Sequence, residues 1–213
     1  MPTQFFPRLF LLLGGLGFLA FGVVLSIHSN LGTSPISSVP YSFSYIFPLT
    51  VGTLTVLMHI VMILLQMLIL KSRFQWIQWL QLPVGILFGA FIDGLMWLTQ
   101  GWSIESYPLQ LLACLASCLI TALGVSLVVK ASLVLLAAEG LYQAIAVRYR
   151  LDFGNCKTYG DILLVSIAVI SSWLVLHQVI GVREGTIITA LLVGTLVKLI
   201  LPKLSFIQFG PKP

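Results

Sequence analysis

The sequence predicts an all-α membrane protein: six transmembrane helices plus two re-entrant half-helices, arranged as an inverted-topology internal repeat. Three observations lead there. Only 8% of the 213 residues are charged while 59% are apolar, whereas soluble domains carry about 25% charged residues to wet their surface. Six apolar runs are long enough to cross a bilayer, which takes roughly 20 helical residues for about 30 Å of hydrocarbon. The chain also matches itself at an offset of 102 positions, Gly22-Val23-x-Leu25 falling on Gly124-Val125-x-Leu127.

The runs, in order, are 9–29, 52–70, 77–99, 108–129, 158–177 and 185–202. None alternates with period two, which argues against a barrel, and in hydrocarbon helix is then the remaining way to satisfy the backbone. The first run follows Arg8, so a cleaved leader has to be weighed. Its apolar stretch exceeds a leader's core, no small-x-small cleavage site follows, and it belongs to the repeat, so it is read as a span. Between the first and second spans of each half lies a shorter amphiphilic segment, 33–47 and 134–147. Either one gives about 20 Å of helix at 1.5 Å per residue, too little to span comfortably. The first opens on Gly32-Thr33-Ser34-Pro35, a helix start with Pro in the first turn, and carries Ser37, Ser38, Pro40, Ser42 and Ser44. Both read as re-entrant half-helices.

The repeat continues through Leu31 over Leu133, Leu49-x-x-Gly52 over Leu151-x-x-Gly154, and Ile60 over Ile162. After a two-residue slip, Gly85, Ala90 and Gly94 fall on Gly185, Ala190 and Gly194. One membrane domain therefore divides into a first repeat at 1–105 and a second at 106–213. Three full spans per unit make the second unit inverted. Charge placement agrees. With both termini cytoplasmic and both short segments re-entrant, Arg8, Lys71, Arg73, Lys130, Arg148, Arg150, Lys157, Lys198, Lys203 and Lys212 lie inside and only Arg183 outside. If the short segments crossed, Lys71, Arg73 and Lys130 would move outside as well. Trp76 and Trp79 then sit at the inner interface, with Trp102 and Tyr107 at the outer one.

The formal charge of +5 has the same origin, and no basic run or face points to nucleic acid. Cys114, Cys118 and Cys156 form neither a CxxC pair nor a disulfide framework. No Walker loop, Rossmann fingerprint, nucleophile elbow or metal-ligand spacing occurs. We therefore expect no enzyme, no cofactor and no metal.

The stretch Gly22 to Pro35, GVVLSIHSNLGTSP, resembles the first-repeat signature of the YczE/YitT-like bacterial integral membrane proteins. So do Leu49-Thr50-Val51-Gly52-Thr53 and Gly85-x-x-x-Gly89-x-x-x-Asp93, and the likeness runs over almost the whole chain. The second half departs from it: Leu133-Val134-Leu135-Leu136-Ala137-Ala138 is apolar, and Glu139 supplies the acid. The resemblance implies a multi-pass protein of the bacterial plasma (inner) membrane and leaves the substrate open.

Ionisable groups cost roughly 2.5–3.5 kcal/mol each at the centre of a spanning helix, so each needs a partner or a task. Asp93 in the third span, and the repeat mates His59 and Asp161, are candidates for a coupling or conduction path, His because its ordinary pKa lies nearest neutrality. The plainer alternatives are a carboxylate held by neighbouring hydroxyls, a packing His, and an Asp beside Lys157 at a helix start. Asn30, Gly32, Thr33 and Ser34, with Ser37 and its repeat mate Glu139, are candidates for substrate binding. Free N–H groups and the dipole of a helix start favour an anionic or carbonyl oxygen. The alternative is that they cap the half-helix. We expect Glu139 and the Gly32–Pro35 start to face one shared polar cavity. The functional expectation is a transporter or channel for a small polar or organic solute. The runners-up are a substrate-capturing subunit of an ATP-driven importer and a membrane sensor or assembly factor. Its partners would be the lipid bilayer, the solute and no nucleic acid; a homodimer is left open.

Overall fold

Each apolar run folds as helix because hydrocarbon offers a backbone no other partner than itself. In the computed structural model, which describes residues 5–207, the six long helices are α1 (Phe5–His28), α3 (Val51–Leu70), α4 (Gln81–Leu98), α5 (Tyr107–Ala131), α7 (Phe153–Leu176) and α8 (Glu184–Lys203). Two short helices, α2 (Pro35–Phe43) and α6 (Ala137–Tyr149), stand between the first and second long helices of each half. No strand occurs among the described residues. All six long helices are apolar and long enough to cross a membrane, some counting adjoining 3-10 turns. Lys212 and both chain termini lie outside the described residues.

Local chemistry sets the boundaries. Ser34 caps α2, its hydroxyl accepting from the Ser37 N–H, and Pro35 takes the first helical position. That helix stops at Phe43, short of the expected 33–47. Ser42 and Ser44 hydroxyls turn back onto the carbonyls of Val39 and Tyr41, and Pro48 holds the residue before it away from helical backbone. Thr50 caps α3 and Asp152 caps α7. Asp152 moves the start of α7 to Phe153, ahead of the expected 158, because the polar first turn Gly154-Asn155-Cys156-Lys157 lies outside the apolar window. Leu136 gives α6 no side-chain cap and leaves Glu139 in its first turn. The starts of α2 and α3 at residues 35 and 51 recur in α6 and α7 at 137 and 153.

At the centre α1 and α5 pack antiparallel and in close contact. A Cβ on Gly15 would strike Val128, one on Gly22 would strike Thr121, and one on Gly124 would strike Leu19. Small residues allow that approach, and dispersion between the two backbones' neighbours holds it. Leu12, Leu16, Leu19, Val23 and Val24 of α1 complete a core with Phe88 and Ile92 of α4 and Val128 of α5. A second core joins Met62 and Ile63 of α3 to Ala138, Leu141 and Tyr142 of α6 and Cys156 of α7.

Around this centre the long helices keep partners in their own half, and the short helices also reach across to the other half. α1 packs on α4 and α5 on α8; α2 packs on α7 and α6 on α3. One pairing breaks the pattern: α3 packs extensively on α4, whereas α7 and α8 have no comparable contact and remain largely exposed.

Candidate functional site

The polar residues gather at the two ends of the bundle. One end collects the finish of α1, the start of α3, the finish of α4 and the link from α7 to α8. Arg183 donates from Nη1 to the Asn30 carbonyl (2.9 Å), and the N–H of Gly185 donates to Leu31 O (2.7 Å). His28 Nε2 lies 2.8 Å from Thr99 Oγ1, with Trp102 beside its ring. Thr33 is fully buried, and both its N–H and its hydroxyl donate to Gly181 O. Gly32 makes the turn into α2 at φ 98°, where a Cβ would meet Thr186 and Arg183.

A cavity of about 590 Å³ opens here between His28, Asn30, Tyr41, Tyr45, Glu105 and Gln110. A second, of about 240 Å³, shares Ile27, Asn30, Tyr41 and Tyr45 with it and extends past Gly32 and Thr33 to Gln178 and Arg183. The Tyr41 and Tyr45 hydroxyls lie 3.0 Å apart, and their rings meet edge to face. Asn30, Gly32 and Thr33 therefore border one polar space. Ser34 and Ser37 bond to each other, hydroxyl to hydroxyl at 3.0 Å, and the Ser37 N–H turns to the Ser34 oxygens. At the same end Asp93 closes the start of α3, accepting from the Gly52 N–H (2.7 Å) and from the Thr50 hydroxyl (2.6 Å). A carboxylate at a helix N-terminus is stabilised by the unpaired N–H groups there.

The opposite end is organised around the start of α6. Gln66 of α3 and Gln81 of α4, both buried, exchange two hydrogen bonds (2.9 and 3.1 Å), and Gln66 donates a third to Ala137 O (3.0 Å). Gly140 of α6 presses on this amide pair, with no room for a Cβ. Asp161 accepts from the Tyr142 hydroxyl (2.9 Å) and from Lys157 (2.7 Å). Glu139 borders a cavity of about 280 Å³ whose other walls are mostly apolar, and its Oε2 is buried without a hydrogen-bond partner. His59 is stacked on Phe88 (ring centroids 6.1 Å, planes 10° apart) against Gly85, with Nδ1 likewise unpartnered.

The shared cavity expected for Glu139 and the Gly32–Pro35 start is not formed: they border different cavities at opposite ends of the bundle. The N–H groups of Thr33 and Ser37 at that helix start are bonded to Gly181 and Ser34. His59 and Asp161, 102 positions apart, occupy unlike surroundings, one among rings and the other in a polar network. The Gln66–Gln81 clamp escaped the sequence reading, although an amide inside an apolar run was a legible signal. Tyr41, Tyr45 and Arg183 were not, because aromatic and basic residues at an interface are ordinary. Among the described residues no group of three His, Cys, Asp or Glu is gathered as a metal centre.

The sequence pattern of DUF6198, a family of unknown function, matches residues 6–202. The chain belongs to this family. No curated protein and no solved structure matches it. In this DUF6198 chain the two ends thus offer different chemistry. One is a polar cavity with hydroxyls, an amide, a guanidinium and the Glu105 carboxylate, and the other is a carboxyl in an apolar pocket.

Proposed function

We propose that this protein is a non-enzymatic membrane transport protein that moves a small polar or organic solute between two inverted repeats. The observation that carries the reading is the crossed seating of the short helices, α2 on α7 and α6 on α3. Short helices lodged among the long helices of the other half suit transporters, whose sites lie at repeat interfaces beside irregular backbone. In this reading α2 and α6 are re-entrant and enter from opposite faces. Contacts at the helix ends support that. His28 touches Thr99 and Asp93 touches Gly52, so α1 finishes where α3 starts. Antiparallel α1 and α5, with α7 finishing beside α1 at Thr33–Gly181, leave α5 finishing where α7 starts. Matching starts of α2 and α3 with those of α6 and α7 support the repeat itself. The kinship with YczE/YitT-like proteins, the bacterial inner membrane and cytoplasmic termini belong to the same proposal.

Solute would enter the Tyr41–Tyr45–Asn30 cavity from outside, and Glu139 and the Gln66–Gln81 clamp would lie on the inner side. Purified protein in liposomes, challenged with polyols, carboxylates and zwitterions of graded size and followed by light scattering, tests this. At least one solute should cross faster than in protein-free liposomes. Glu139→Gln should reduce the excess about tenfold, and Thr33→Val more mildly. No excess for any solute contradicts the reading. The open outer faces of α7 and α8 favour a second reading, a solute-capturing subunit seated against a partner. Co-purification with an ATP-hydrolysing complex, and solute binding without flux, would distinguish it.

A further inference from the structure

A carboxylate without a partner in apolar surroundings is unstable unless something neutralises it. Glu139 comes close to that state, with its own backbone N–H bonded to the carboxyl. Its Oε2 is buried and makes no hydrogen bond, and it borders a cavity walled by Val125, Val128, Leu133 and Leu136, with Ser132 as the other polar residue. The elements packed on α6 present few charges. From α3 and α4 come the amides Gln66 and Gln81, already bonded to each other. From α7 come Lys157 and Asp161, the two charged groups that act on Glu139, and α6 itself adds Tyr142.

Two carboxylates thus share one ammonium, and the geometry assigns it. Lys157 lies 2.7 Å from Asp161 Oδ2, and the Tyr142 hydroxyl donates to Oδ1, so Asp161 holds both donors. Glu139 is left over by one negative charge. A metal cation would need several oxygen ligands around it. These walls supply a single hydroxyl beside the carboxyl, whereas a proton needs only the carboxyl itself.

We propose that Glu139 is a proton-binding site, the group whose protonation is linked to solute movement. The linkage, though not the proton site, rests on the transport reading above. Protonated, Glu139 is neutral and suits its apolar cavity. Deprotonated, it competes with Asp161 for Lys157 and unsettles the start of α6, which also bears on the Gln66–Gln81 clamp through Ala137 O and Gly140.

Infrared difference spectra of the full chain in liposomes, between about pH 5 and pH 9, test the site directly. One carboxylic-acid carbonyl band should be lost as pH rises. It should shift when the protein carries carbon-13 glutamate, disappear in Glu139→Gln and persist in Asp93→Asn. The isotope arm needs no variant, so a misfolded Glu139→Gln protein leaves the test intact. Absence of a protonated carboxyl band, or a band indifferent to glutamate labelling, overturns the proposal. That outcome leaves the flux experiment standing, and a protein without flux still has to show the band.

Discussion

Gln66 and Gln81 are fully or nearly fully buried and satisfy each other with paired amide hydrogen bonds, so their value depends on both being present. Gln66→Ala leaves the Gln81 amide and the Ala137 carbonyl unpaired and should cost about 1–3 kcal/mol, read as a lower unfolding midpoint in detergent. Replacing both residues by Leu should recover much of that loss, because no buried polar side chain is then orphaned. If the double variant falls further than the single, the amides do more than satisfy each other. Asp93 behaves as a cap, with Gly52 N–H and the Thr50 hydroxyl both directed at it. Asp93→Ala should therefore cost roughly 0.5–2 kcal/mol of stability. Asp93→Asn should remain folded and keep any solute flux, and a folded Asp93→Asn protein without flux would return Asp93 to the conduction path. Here the sequence was informative about residue type and only partly about partners. Asp93, Glu139 and Asp161 all stand out as acids in apolar runs. Lys157, one turn before Asp161 on α7, was legible as its partner, whereas Thr50 and Gly52 reach Asp93 through tertiary contacts that periodicity does not reveal.

At the scale of elements, the α1–α5 pair is the seam on which the two halves meet, and its glycines set the spacing. Gly22 and Gly124 sit where a Cβ would strike Thr121 and Leu19. Gly22→Val and Gly124→Val should each destabilise by about 1–3 kcal/mol, because neither backbone can retreat without opening the core around Leu16 and Leu19. Gly14 and Gly17 of the same helix face open space, so Gly14→Ala should be tolerated. A reversed order of these effects, measured by thermal unfolding, would mean the helices cross elsewhere. The long helices were legible from apolar length alone, most within a few residues of their observed bounds. The exceptions are instructive. The start of α7 is polar and capped by Asp152, and α2 is shortened by serines that bond back to its own carbonyls, so neither boundary is written in hydropathy.

Over the whole molecule, an offset of 102 residues relates not only identities such as Gly22 and Gly124 but also where α2 and α3 begin relative to α6 and α7. The sequence conveyed the number of long helices. It did not convey which helices exchange partners, nor that α7 and α8 lack the mutual packing of α3 and α4, since both depend on which faces meet in space. It also led to one central cavity, where the α1–α5 core instead separates two. The proposed inversion is tested at Leu49 and Leu151, which lie 102 positions apart. Both are exposed, Leu49 in the link from α2 to α3 and Leu151 in the link from α6 to α7. Single cysteines at these two positions, in a background with Cys114, Cys118 and Cys156 replaced, can be labelled in intact cells with an impermeant thiol reagent. Leu49→Cys should react from outside, and Leu151→Cys only once the membrane is opened. Labelling of both from the same face would contradict the inverted repeat and the transport reading built on it.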